Sequence, residues 1–304
     1  MEKQSDLNQK EKINFGKFYR NTIIPYSFAT PALIVFIFVI LSPVVISMIL
    51  SFYQFTGFDS NIFKQFNGFE NFKILFQDKY FWISFRNTFY FVLVSITIQI
   101  ALALIVSIFI FFGNFKNSVL IRTIIFFPAV LAPVAISLAW RKMFEQDGVI
   151  NQIFHFTYPW ISSLRTAIWV VIFVSVWQWT GYNMVIFYTG LQSINKELLE
   201  AADVDGATWW GKITKIVIPS IGSAIILNVI LNLVGSFRVF DIVYVLTRGG
   251  PLHSSEVLTT IMYYYSFSAN GPNRMGVGSA IAFIMFAIMI ILGVLRVRFL
   301  KRVV

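Results

Sequence analysis

Residues 89–112 read FYFVLVSITIQIALALIVSIFIFF, from Phe89 to Phe112. The stretch carries no Asp, Glu, Lys, Arg or His. Crossing the hydrocarbon core of a bilayer as an α-helix takes roughly 20 predominantly apolar residues, and this run is long enough. A barrel strand would instead alternate apolar and polar side chains with period two over about 10 residues. Runs such as Ile281-Ala282-Phe283-Ile284-Met285-Phe286 do not alternate. The stretch is therefore read as a membrane-spanning helix.

Working outward, five more runs qualify or nearly qualify: Phe28 to Leu50, Thr123 to Trp140, Ala167 to Gly190, Ile216 to Phe237 and Met275 to Leu295. The Thr123–Trp140 run is short and carries Pro128 and Pro133. Such residues are tolerated as kinks in membrane helices when neighbours satisfy the freed carbonyls. No charged residue falls inside any of the six. The fold class expected is all-α, a polytopic helical bundle of about six transmembrane helices.

The whole chain agrees with this reading. Of its 304 residues 57% are hydrophobic, 34 are Phe and only 12% are charged, against about 25% charged in an ordinary soluble domain. A soluble fold of this length has too little core to hide that much apolar surface, and disorder requires low hydrophobicity. There is no Cys, hence no disulfide and no thiolate chemistry. With two His, both between spans, a His-based metal site is not expected.

The net charge of +10 would suggest an acidic partner in a soluble protein. In a membrane chain it is first a record of topology. An even number of spans puts both termini on one side. Lys3, Lys10, Lys12, Lys17 and Arg20 precede the first span, Lys116 and Arg122 follow the second, Lys196, Lys212 and Lys215 follow the fourth, and Arg296, Arg298, Lys301 and Arg302 end the chain. Lys and Arg are about twice as dense on that side, which the positive-inside rule assigns to the cytoplasm. The expected organisation is a cytoplasmic tail over residues 1–22 and a transmembrane domain over 23–304. The first apolar run is too long, and lacks the small-residue cleavage site, for a removed signal peptide. It reads as a retained anchor. The outside loops are Ser51 to Thr88, Arg141 to Thr166 and Arg238 to Arg274.

The missing intramembrane charges bear on energy. Proton-driven carriers use ionisable groups within the membrane, and none is present. Sodium sites can be made from carbonyls and hydroxyls, so sodium coupling is disfavoured without being excluded. A phosphate-binding loop reads G-x-x-x-x-G-K-[ST]. Gly206-Ala207-Thr208-Trp209-Trp210-Gly211-Lys212-Ile213 approaches it, but Ile213 replaces the magnesium-binding hydroxyl and no strand precedes it. Energy is expected to enter from outside the membrane domain.

The loop at 191–215 is long for a cytoplasmic connector. Glu197 to Ala202 is rich in helix formers, with Asn195 placed to cap it and Gly206 placed to stop it. Trp209 and Trp210 suit the headgroup zone. An amphipathic interfacial helix and a docking surface for a soluble partner fit this composition about equally.

The run Glu200-Ala201-Ala202, three residues, Gly206, nine residues, Ile216-Val217-Ile218-Pro219 resembles the EAA signature of bacterial ABC importer permeases, with Ile218 where that signature has Leu. Phe66-Asn67-Gly68-Phe69-Glu70-Asn71-Phe72, Phe81-Trp82 with Asn87-Thr88, and Phe240-Asp241 followed by Leu246-Thr247-Arg248-Gly249-Gly250-Pro251 are similar to the binding-protein-dependent sugar branch of that family. The resemblance implies the type I importer permease fold in the bacterial cytoplasmic (inner) membrane. It implies a second homologous permease, two ATP-binding subunits docked on the coupling loop, and an extracytoplasmic substrate-binding protein that delivers a sugar or oligosaccharide. ATP and Mg would bind those partner subunits, with no cofactor and no enzymatic activity in this chain. By the match, Glu200, Ala201, Ala202 and Gly206 carry ATPase coupling.

A substrate path is sought in spans four and five, which flank that loop. Ser175, Gln178, Trp179 and Tyr182 recur at i, i+3, i+4 and i+7 and so share a helix face. Asn228, Asn232 and Ser236 recur every four residues. Amides, hydroxyls and an aromatic plane suit a sugar. The same residues could serve as interhelical glue or interfacial anchors. Thr247 to Pro251 has turn chemistry that fits a gate, a docking ledge or a plain connection. A self-contained carrier or channel for a small polar solute is the competing reading. A membrane enzyme would need acid–base or metal clusters, which the sequence does not offer.

Overall fold

The structure is a computed structural model that describes residues 24–57, 65–113, 115–269 and 271–300. The expected cytoplasmic tail, 1–22, lies outside the described residues, as do Lys301 and Arg302.

Described residues form a helical bundle. Helix α1 (Ile24–Val35) runs through a π-helical turn (Phe36–Leu41) into α2 (Ser42–Leu50) as the first span. Its large apolar side chains point outward, Phe28 being 81% exposed, and α2 packs against α15 (Met275–Leu300), the last span. Outside, α3 (Glu70–Gln77) leads to α4 (Lys79–Phe112), whose N-terminus Asp78 caps by accepting from Tyr80 N–H at 2.9 Å. The Asp78 carboxylate also accepts the Tyr265 hydroxyl. Burial, and then that bond, push the Tyr265 phenol well above its ordinary range. α4 therefore begins ten residues before Phe89, with Lys79 and Arg86 in its solvent-side turns.

The centre of the bundle is the pair α4 and α8 (Ala167–Gln192), the fourth span. α5 (Ser118–Val130) lies on α8. The third span is not the single kinked helix expected over Thr123–Trp140. α5 and α6 (Pro133–Phe144) meet at 94° when α6 is taken with the short α7 (Val149–Phe154). The cause is Pro133, which has no N–H to donate and drives the residue before it out of the helical region: Leu131 and Ala132 have ψ of 146° and 130°. Pro128, by contrast, sits inside α5 without ending it.

α5 and α8 approach closely because Gly181 has no side chain. A Cβ there would lie 2.0 Å from the Ile125 carbonyl oxygen, a backbone atom that cannot swing aside. Small residues permit such contacts between membrane helices. Gly181→Val is expected to cost about 1–3 kcal/mol through overpacking, read as a lowered unfolding midpoint of the detergent-solubilised protein; an unchanged midpoint would contradict the close approach.

Leading into the fifth span, α10 (Trp209–Lys212), a π-helical turn (Ile213–Val217) and α11 (Ile218–Ser220) form one segment, and α12 (Gly222–Phe237) continues at 67° to it. The fifth span is thus also broken, and it starts before the expected Ile216. The Arg238–Arg274 segment is more than a connector. It contains α13 (Asp241–Leu246), packed on α6, and α14 (Leu258–Phe267), packed on α15 and α4, and much of it is buried. Among the described residues, four helices are long and apolar enough to cross a membrane, and up to six if each bent pair is one span, in line with about six expected spans, two of them broken.

Two stretches far apart in sequence meet at the end of the bundle where α4 begins. Asn87 donates to the Ser254 and Glu256 carbonyls at 2.9 and 3.1 Å, and Thr88 accepts from Leu258 N–H at 2.9 Å. They hold the turn that follows Thr247-Arg248-Gly249-Gly250-Pro251, in which Gly249 adopts φ +79° and packs on the Glu256 carboxylate. Asn71 performs a similar task nearby, donating to the Ser51 and Tyr53 carbonyls at 2.9 and 2.8 Å and so fixing the end of α2.

Candidate functional site

Along α4 and α8 the apolar core divides. One cluster includes Phe91, Ile168, Val171 and Val174, with Ile242 and Leu246 of α13. A second includes Ala103, Ile108, Met184, Phe187 and Leu191, with Ile213 and Val217. Between them lies a buried polar layer: Ser95 and Gln99 of α4, Ser175, Gln178 and Asn183 of α8, and Asn228, Asn232 and Ser236 of α12. Buried polar groups are costly without partners, and within a membrane they mark a path or a binding site.

A cavity of about 340 Å³ opens on this layer, within the range of small-molecule sites. Ser175, Trp179, Tyr182, Asn232 and Ser236 line it, joined by Gln99, Asn183, Arg238, Phe240 and Asp241. Trp179 and Tyr182 stand edge to face with centroids 6.2 Å apart, and Tyr182 is 39% exposed. The wall on the α12 side is an amide pair. Asn183 Nδ2 donates to Asn232 Oδ1 at 3.1 Å, Asn232 Nδ2 donates to Asn183 Oδ1 at 2.9 Å, and Asn232 Nδ2 also reaches the Asn228 carbonyl at 2.8 Å. Gln99 Nε2 lies 3.4 Å from Ser175 Oγ.

Two of the expected substrate-path residues are elsewhere. Gln178 is fully buried and donates to the Leu131 carbonyl at 3.3 Å, the group freed by the break before Pro133. Its position, 100° around α8 from Trp179 at 3.6 residues per turn, turns it toward α5 and away from the cavity. Asn228 is fully buried between α8 and α12, with its amide nitrogen 3.4 Å from the Asn183 carbonyl. Both act as interhelical glue, the alternative weighed for this layer. Asn183, Gln99, Arg238 and Asp241 were missed. Gln99 and Asn183 carried a signal, as amides inside the second and fourth spans, and Asp241 stood in a stretch already singled out. Arg238 and Asp241 enter the wall because the chain turns sharply after α12.

At the opposite end α9 (Lys196–Val204) is the expected helix of the 191–215 loop. Asn195 Oδ1 accepts from Glu197 N–H at 3.0 Å, and Gly206 adopts φ +72° just beyond the end, as cap and stop require. Glu200 and Ala201 are exposed, together with Leu198 and Val204. Ala202, expected among the docking residues, is instead buried in this chain beside the half-buried Leu199. At 100° per residue the two alanines cannot face the same way. Trp209 and Trp210 are exposed at the same end, as suits an interface with headgroups.

Residues 87–304 match the family described as "Binding-protein-dependent transport system inner membrane component". The chain belongs to this family of membrane transport components and is a multi-pass membrane protein. The probable ABC transporter permease protein YurN of Bacillus subtilis is 33% identical over 93% of this chain and 97% of its own length. The lactose transport system permease protein LacF of Rhizobium radiobacter is 33% identical over 79% of this chain and 82% of its own. In fold, the chain resembles a subunit of a bacterial ABC transporter involved in import of the acidic polysaccharide alginate, with TM-score 0.82 at 19% identity, covering 95% of this chain and 99% of that one. The resemblance of the EAA loop and outer stretches thus extends to the family and the fold.

Proposed function

We propose that this chain is the permease subunit of an ATP-driven importer for a sugar or oligosaccharide. It works in the bacterial cytoplasmic membrane with both termini inside, beside a second homologous permease. Two ATPase subunits, which carry ATP and Mg, dock on α9, and an extracytoplasmic binding protein delivers the substrate. The cavity in the buried polar layer carries this reading. Amide, hydroxyl and aromatic side chains of the buried polar layer line it, which suits neutral hydroxyls and a sugar ring face, while the charged groups in its wall, Arg238 and Asp241, are exposed and lie beyond the end of α12. Named relatives support the substrate class: besides LacF, a probable starch degradation products permease, AmyD of Thermoanaerobacterium thermosulfurigenes, is 32% identical over 93% of this chain.

The transition we infer is alternating access, with the ATPase pair closing and opening at the α9 end and the broken spans rearranging around the cavity. The test is uptake by vesicles holding the full complex. Labelled sugars that the binding protein retains should accumulate only when ATP is inside. Accumulation that continues without ATP would favour a self-contained carrier.

A further inference from the structure

The turn between the coupling helix and span five is where a push on α9 would be lost. Gly206, the most permissive residue type, sits in it at φ +72°. The turn is closed by Asp205 N–H to the Ala201 carbonyl at 2.9 Å and Ala207 N–H to the Ala202 carbonyl at 2.9 Å. Thr208 Oγ1 then caps α10 by accepting from Gly211 N–H at 3.2 Å. Across this turn Lys212 Nζ reaches back from α10 to Asp203 Oδ1 of α9 at 2.5 Å. The Lys212 side chain is only 15% exposed. Among the described residues, Lys196, Glu197, Glu200, Asp205 and Lys215 of the same loop make no ion pair, so the pair stands apart from its charged surroundings. Beneath it Ala202 is buried, and Ile213 and Val217 anchor the segment in the inner apolar cluster. The next break is at Ile221, where the direction changes by 67° and a Cβ on Gly222 would meet nothing.

We propose that the Asp203–Lys212 pair is a positioning strut that makes α9 and the Trp209–Ser220 segment one lever, so that movement of the coupling helix reaches the break at Ile221–Gly222 instead of dissipating at Gly206. The proposal rests on the reading of α9 as the ATPase-docking helix. As a stabiliser a partly exposed pair counts for little. As a constraint it fixes the angle between two helices that are otherwise joined by a glycine turn.

The absence of native Cys gives a direct test. Leu231→Cys, in the cavity wall and 40% exposed before substitution, is labelled with a membrane-impermeant thiol reagent in the full complex, with and without ATP plus vanadate. With the pair intact, the nucleotide should change the labelling rate of this chain by at least about fivefold, the low end of ordinary coupling factors. In Asp203→Asn and in Lys212→Gln the change should fall below about twofold while the ATPase subunits still copurify, because lost coupling factors shrink toward unity. The reversed pair, Asp203→Lys with Lys212→Asp, should restore it. Single variants that keep the full change overturn the strut, as does a reversed pair that fails to recover what the single variants lose. Glu200→Lys separates the two layers of inference. If it leaves the ATPase subunits bound, or if the intact pair shows no nucleotide effect, the docking reading itself falls.

Discussion

Glu200→Lys is expected to strip the ATPase subunits from the complex and abolish ATP-driven uptake. Glu200 is exposed on α9, and its neighbours three and four residues away, Lys196, Glu197, Asp203 and Val204, are exposed with it, while Ala202 and Leu199, on other sides of the helix, are buried and half-buried. An exposed carboxylate on that face suits a basic group in a partner cleft. Losing one member of a desolvated interfacial charge pair costs about 2–5 kcal/mol, or roughly 30-fold or more in affinity at 1.4 kcal/mol per tenfold. Reversal adds like-charge repulsion, so Glu200→Gln should be milder than Glu200→Lys. Titration of ATPase subunits onto the reconstituted permease measures both. Equal affinity for the unaltered chain and Glu200→Lys would end the assignment. Ala202 gives an internal contrast, since its burial makes a bulky replacement damage the fold before the docking.

The second large effect is expected at the amide pair in the cavity wall. Asn232→Leu removes both donors and leaves the Asn183 amide partly orphaned, at about 1–3 kcal/mol for an unsatisfied buried group. Replacing both, Asn183→Leu with Asn232→Leu, removes the orphan and should return most of the lost stability, because paired polar groups can be exchanged for apolar ones at little net cost. Uptake separates the two roles weighed for these residues. If they only glue α8 to α12, uptake recovers along with stability. If they also hold substrate hydroxyls, uptake in the double variant stays at least about tenfold below the unaltered chain, equivalent to one lost hydrogen bond of about 1.4 kcal/mol. Melting and transport measured on the unaltered chain, the two single variants and the double variant decide it.

What could be read from the sequence divides along a physical line. Hydrophobic runs and excluded charges report on the solvent around a helix, so membrane residence and the approximate spans were legible residue by residue. So was α9, because Asn195, Glu197 and Gly206 act locally, within one turn of the helix they bound. Breaks were harder. Pro128 and Pro133 look alike in sequence, yet only the latter ends a helix. The 67° bend at Ile221 has no proline at the break itself, Pro219 lying inside α11.

The candidate cavity was half legible. Helical periodicity placed Ser175, Trp179 and Tyr182 on one face correctly, but a shared face at i+3 is wide enough to include Gln178, whose partner is a carbonyl that exists only because the third span breaks. Asn232 and Asn228 differ by one turn, and only their depth between α8 and α12 makes one a wall residue and the other glue. By itself, then, the sequence determined the environment, the approximate spans and the capped helix of the 191–215 loop, since each depends on a residue's own solvation or its nearest neighbours along the chain. Tertiary structure alone decided which polar side chains face the cavity, that Arg238 and Asp241 join its rim, and that Lys212 closes on Asp203, since each depends on where a different segment ends up in space.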